Sequence, residues 1–183
     1  MTGPAAATPT QVDMSHPSRW MAVLRILLGA WFLKALFNKM DFVLLGGVVP
    51  WIGTEQRWIE MMPVILAKQM EANQILWYKS FVEQTVLPNV ALFARLTAWG
   101  EVLVGLSLVS GLFAGLGALG GLWLSINYGL AGAHTSSASA GFHYLLISVF
   151  AVLFLSRSGR AWGLDSWVAW RWPGSILTWR PFA

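Results

Sequence analysis

Polar side chains thin out in four stretches of the chain, residues 20–37, 89–112, 113–133 and 141–156. The first reads "WMAVLRILLGAWFLKALF" and the last "GFHYLLISVFAVLFLS". A helix rises about 1.5 Å per residue and a hydrocarbon core is about 30 Å thick, so about 20 residues are needed to cross it. The first three stretches meet that length. The fourth is short and gains residues 138–140 at its start. Four spans are expected, and three spans with a re-entrant segment remain the alternative.

Residues 40–88, between the first two stretches, have a different pattern. Thr54 can cap a helix with Glu55 in its first turn. Pro63 then opens a second helix, "PVILAKQMEANQILWYKSFVEQTVL". Leu66, Met70, Trp77 and Phe81 recur near helical spacing, while Lys68, Glu71 and Lys79 fall off that line. The pattern predicts amphipathic helices that lie on the membrane surface or cap the bundle. An ordinary folded loop without membrane contact is the other reading.

The ends are not apolar. Residues 1–18 are small, polar and Pro-containing, which predicts a disordered tail. They do not form a signal peptide, because the apolar stretch comes too late and no A-x-A site follows it. Residues 157–183 alternate Trp with Arg, and Asp165 can cap a short helix holding Trp167, Trp170 and Arg171. That predicts an interfacial anchor helped by anionic lipid. The expected fold is therefore all-α: an integral membrane four-helix bundle over residues 19–156, with a helical external loop at 40–88 and an interfacial tail.

Composition sharpens this picture. The chain is 56% hydrophobic and 11% charged, against about 25% charged in soluble domains. Twelve Trp suit membrane–water interfaces. The absence of Cys excludes disulfides, thiolate nucleophiles and Cys-based metal sites. The net charge of +4 comes largely from basic residues near the chain ends, which argues against nucleic acid. Arg19, Arg157, Arg160, Arg171 and Arg180 lie with the termini. The long loop mixes Lys39, Arg57, Lys68 and Lys79 with Asp41, Glu55, Glu60, Glu71 and Glu83. The basic bias places both termini in the cytoplasm.

One carboxylate interrupts the second stretch, Glu101 in "LTAWGEVLVGLSLVSG". At mid-membrane such a group costs roughly 2.5–3.5 kcal/mol and takes a partner. Arg95 is about 9 Å away along the axis and on another face. Arg25, in the first stretch, is separated from Glu101 by an axial gap of about 6 Å if the two helices are neighbours. An Arg25–Glu101 pair is expected. It either pins helix register or leaves a protonatable carboxylate beside a ligand pocket. Lys34, Lys39, Arg95, Asn127, Tyr128, His134, His143 and Tyr144 fall in one half of the bundle. Lys39 is expected to snorkel, and His143 to hydrogen-bond a bound head group. The two His in one loop bring no third ligand, so no metal is expected. Gly111 with Gly115, and Gly117 with Gly121, have the spacing of close helix seams.

Taken in order, "LRILLGAWFLKALFNKM", "WGEVLVGLSLVSGLFAGLGAL" and "GRAWGLDSWVAWRWP" resemble the DoxX/DoxD family of small four-helix membrane proteins. Some members are the large subunit of a thiosulfate:quinone oxidoreductase, and others are accessory membrane components. The resemblance implies a bacterial or archaeal plasma membrane and a quinone held between helices. Lys34 and Arg95 would attract an oxyanion, and Trp99 or Trp77 would stack on the ring, with Tyr128 nearby. Glu101, with Arg25 or His143, would move the proton. The alternative is a non-catalytic subunit packed against a larger membrane complex, with lipid and other membrane subunits as partners. A small transporter is the least favoured reading, for lack of an inverted repeat.

Overall fold

Pro17 opens the first helix, α1 (Pro17–Leu33), in a turn whose N–H groups have no helical partner. The structure, a computed structural model, describes residues 17–45 and 49–182. Residues 1–16 of the expected tail lie outside the described residues, while Pro17 and Ser18 belong to α1. A short helix, α2 (Ala35–Asn38), follows directly.

The segment expected to be helical begins instead as a hairpin. Strands β1 (Met40–Leu45) and β2 (Val49–Thr54) pair antiparallel, with Phe42 opposite Ile52. Residues of that kind fit a pleated surface better than a helix. Helix α3 (Gln56–Ala72) then starts with Glu55, not Thr54, at its N-cap, and Pro63 lies inside it. Asn73 ends α3: its Oδ1 accepts from the Ile75 N–H at 2.8 Å and its Nδ2 donates to the Leu130 carbonyl at 2.6 Å.

Helix α4 (Leu76–Phe81) continues through a π turn (Val82–Val86) and a 3₁₀ turn (Leu87–Asn89) into α5 (Val90–Ser110). Pro88 cannot donate to a regular ladder, and these wider and tighter turns carry the helix past it. Three more helices follow: α6 (Ala114–Gly132), α7 (Ser137–Ser156) and α8 (Leu164–Arg171).

Among the described residues, three helical stretches are long and apolar enough to cross a membrane: Pro17–Asn38, Leu76–Ser110 and Ser137–Ser156. The last apolar stretch, expected to be short, reaches 20 residues because its helix begins at Ser137. There Ser136 caps it by accepting from the Ser139 N–H. Helix α6 is not among the three. Its glycines, with Ser125, Asn127 and Tyr128, dilute its hydropathy.

Helix α1 packs on α5, α5 on α6, and α6 on α7. Phe32, Leu108, Phe150 and Leu153 form the core among them. Gly29 lies against Leu108 and Val109, and Gly105 against the Leu33 backbone, so a Cβ at either position would force α1 and α5 apart. Gly117 meets Ser107 of α5, and Gly121 meets the Phe150 ring of α7. Gly111 and Gly115 serve no helix seam: Gly111 faces Arg25 and Gly163, and Gly115 faces the Pro181 carbonyl. A second core, with Met62, Met70, Tyr78, Val82 and Ala131, seats α3 and α4 on one end of the helices.

Candidate functional site

Lys39 stands just beyond α2, where its carbonyl accepts from the Glu55 N–H at 2.8 Å. That bond closes the base of the hairpin and turns the Lys39 side chain inward. Its Nζ lies 2.8 Å from both Oε1 and Oε2 of Glu101. The Tyr128 hydroxyl donates to Glu101 Oε1 at 2.6 Å. Below the ammonium lies the Trp58 ring, 4.1 Å to its centroid, at a distance where a cation is attracted to the ring face. Trp58 is itself fixed, because its indole N–H donates to the Ala94 carbonyl. The Glu101 and Lys39 side chains are 12% and 16% exposed, so the pair is nearly out of solvent.

Beside this cluster runs a groove of about 910 Å³ between α5 and α6. Trp58 and Met62 of α3 and Tyr78 of α4 line one end, and Phe113 lines the other. Thr97, Gly100 and Ser107 line it from α5, and Gly117, Gly120 and Tyr128 from α6. Between Phe93 and Ser107 it extends about 21 Å along the α5 axis. Tyr128 therefore links the groove to the buried carboxylate.

Arg25 is not the partner of Glu101. It is fully buried at the opposite end of α5, with Nη2 donating to the Ala161 and Trp162 carbonyls at 3.4 and 3.2 Å. Its guanidinium lies against Gly111 and Gly163. Glu101 is about 15 Å further along α5 than Gly111, beyond an Arg side chain's span from that level. Asp165 completes this second cluster. Its Oδ1 accepts from the Phe113 N–H at 2.7 Å and its Oδ2 from the Ala114 N–H at 3.0 Å. Its carboxylate thus caps the start of α6, a helix remote in sequence. Burial pushes the Asp165 carboxyl up from its ordinary value, while those two N–H groups, Arg25 and Arg160 pull it back.

The other expected residues divide. Tyr128 and His143 line the groove, and His143 Nδ1 is buried without a hydrogen-bond partner. Lys34 instead folds over the Trp31 ring, 4.5 Å from its centroid. Arg95, Trp99 and Trp77 are exposed and do not line the groove. His134 and Tyr144 line a separate cavity of about 330 Å³.

No family model, curated protein or solved structure matches the chain.

Sequence reasoning missed Trp58, Tyr78 and Thr97 as groove residues, and it treated Lys39 as a snorkelling cation. A signal for Lys39 was present. Gly29 and Gly105 mark where α1 and α5 touch, and extending that antiparallel register brings the end of the first span level with Glu101.

Proposed function

We propose that this chain is a four-span membrane protein, with α6 as the additional span, that holds a lipid-soluble quinone in the groove between α5 and α6. In this reading the termini are cytoplasmic and the hairpin with α3 and α4 is external. The supporting observation is the link from the groove through Tyr128 to a carboxylate held by Lys39.

The groove fits such a molecule. It is mostly apolar along its length, is large enough for a ring with part of its tail, and has polar groups near the Trp58 end. The quinone would supply the redox couple, with electrons delivered by a partner subunit of the same membrane. The protein's part is local. Tyr128 orients a head group, and Glu101 stands one hydrogen bond behind it to exchange the proton that accompanies each electron. Lys39 holds Glu101 in place. Arg25, by contrast, holds the tail and takes no part in that exchange.

Binding of a short-chain quinone to the chain in lipid nanodiscs, read by quenching of Trp fluorescence, tests the proposal. Gly100→Leu points a side chain into the groove, and a Cβ there meets Leu124 only at ordinary contact distance. Saturable quenching that this variant abolishes supports the reading. Quenching identical in both proteins overturns it.

A second reading has its own observation. The groove opens beside Leu96, Leu103, Leu116 and Trp123, all exposed. A transmembrane helix of a larger complex could lie there, which would make this chain an accessory subunit. Mild detergent extraction that recovers a stoichiometric partner, lost in Gly100→Leu, favours that reading.

A further inference from the structure

Two side chains that line the groove, Gln69 of α3 and His143 of α7, have no hydrogen-bond partner among the described residues. They come from different helices and converge on Gly132, the last residue of α6. A Cβ built on Gly132 would lie 3.3 Å from Gln69 Nε2 and 3.4 Å from His143 Nε2. The two nitrogens therefore face one small space, which the missing side chain leaves open.

A neutral imidazole has one N–H. On Nδ1, which is buried and unpartnered, that N–H would be an orphaned donor, a rare kind of buried group. The proton therefore belongs on Nε2. Gln69 Nε2 likewise carries N–H groups and has no lone pair to offer. Two donors cannot satisfy each other, so the space between them calls for an acceptor.

The nearby carbonyls are taken. That of Gly132 accepts from the Thr135 N–H, the Thr135 hydroxyl and the Ser139 hydroxyl. Those of Leu130 and Ala131 accept from Asn73 Nδ2 at 2.6 and 3.4 Å. Ser139 Oγ lies 3.5 Å from the same Cβ position, with its proton on Gly132, and bonds to neither nitrogen.

We propose that Gln69 and His143 form a fork of two N–H donors for one carbonyl oxygen of the groove's ligand. This rests on reading the groove as a quinone site, and it names the groups that grip the oxidised head. One quinone carbonyl accepts from both nitrogens. The ring extends towards Tyr128, one helical turn back along α6, and the tail follows Gly120 and Gly117 towards Phe113. A hydrocarbon of the same shape would leave both donors bare.

The test reads the carbonyl itself. Decyl-1,4-benzoquinone labelled with carbon-13 at its carbonyls is added to the full chain in nanodiscs, and isotope-edited infrared spectra are recorded. A carbonyl that accepts hydrogen bonds vibrates at lower frequency than one in lipid, so bound quinone should show a down-shifted band. Gln69→Leu and His143→Phe keep bulk and remove the donors. Each should move that band part-way back and weaken binding about two- to tenfold, the worth of one hydrogen bond. Retained helical circular dichroism shows that a variant is folded; should one unfold, the other decides alone. A down-shifted band that stays in place in a folded variant overturns the fork and leaves the groove as a quinone site. So does quinone whose binding, read by Trp quenching, is blocked by Gly100→Leu but whose band keeps its lipid frequency. Binding indifferent to Gly100→Leu, or no binding, removes the quinone reading itself.

Discussion

The Lys39 ammonium sits 2.8 Å from both carboxylate oxygens of Glu101, although the whole of residues 40–88 separates the two in sequence. Lys39 closes the first helical stretch and Glu101 lies within α5, so this contact joins the hairpin base to the helix pair. In a nearly solvent-free setting the two charges depend on each other more than either depends on water.

That dependence predicts a non-additive pair of variants. Lys39→Met leaves Glu101 with Tyr128 alone and should lower stability by about 3–5 kcal/mol, the usual result of stranding one buried charge. Glu101→Gln should have a comparable effect through the stranded ammonium. The double variant should recover most of the loss. Unfolding by denaturant in detergent, compared across the four proteins, measures the coupling.

Tyr128→Phe should be milder. It removes one hydrogen bond to a charged acceptor, worth about 1.5–3 kcal/mol, while Lys39 still holds the carboxylate. The same unfolding assay should place this variant between wild type and Lys39→Met.

Asp165→Ala strips the two N–H groups at the start of α6 of their acceptor. A lost cap typically destabilises by about 1 kcal/mol, and Arg25 also loses the favourable field of the Asp165 carboxylate. The segment from Ser158 to Arg171 should loosen before the helices do. Limited trypsin digestion should then cut after Arg157 or Arg160 at rates that leave the wild-type protein intact.

Gly105→Val places a side chain against both the Leu33 side chain and the Leu33 backbone N, and the backbone cannot swing aside as the side chain can. Overpacking of this kind typically costs about 1–3 kcal/mol. It should also separate α1 from α5, so a disulfide engineered between those helices should form more slowly in this variant.

Trp162, Trp167, Trp170, Trp172 and Trp179 are all exposed. If they rest at the membrane interface, lipids brominated near the head group should quench them more than lipids brominated at the chain end. Trp58, half-buried against Lys39 and Ala94, should be quenched least.

Unbroken apolar length made the helical stretches legible, because α1, α5 and α7 are apolar over most of their length. Helix α6 was also read, although its small and polar residues leave it less hydropathic than its neighbours. The hairpin was not read, since residues 40–54 carry no alternation strong enough to outweigh the helical pattern that follows. Pro63 was read as a helix start, whereas tertiary contacts on Met62 and Met70 hold one helix across it.

The site was half legible. Glu101 stood out because its charge is anomalous in an apolar stretch. Its partner was misassigned because helix levels were judged from the ends of the apolar stretches. The true register comes from Gly29 against Leu108 and Gly105 against Leu33, which sets Arg25 level with Gly111. The pattern Gly159-x-x-x-Gly163-x-Asp165 could be read as a motif but not as a mechanism. Only packing shows that Gly159 makes room for Asp165 and Gly163 for Arg25.

The Arg25 contact spans 136 residues to the Ala161 carbonyl. During synthesis the first helix therefore emerges long before its counter-groups exist, and it carries an unquenched cation throughout that interval. The bundle can assume its final shape only after the last segment has been translated and has closed over that cation, so the order of assembly is dictated from the tail.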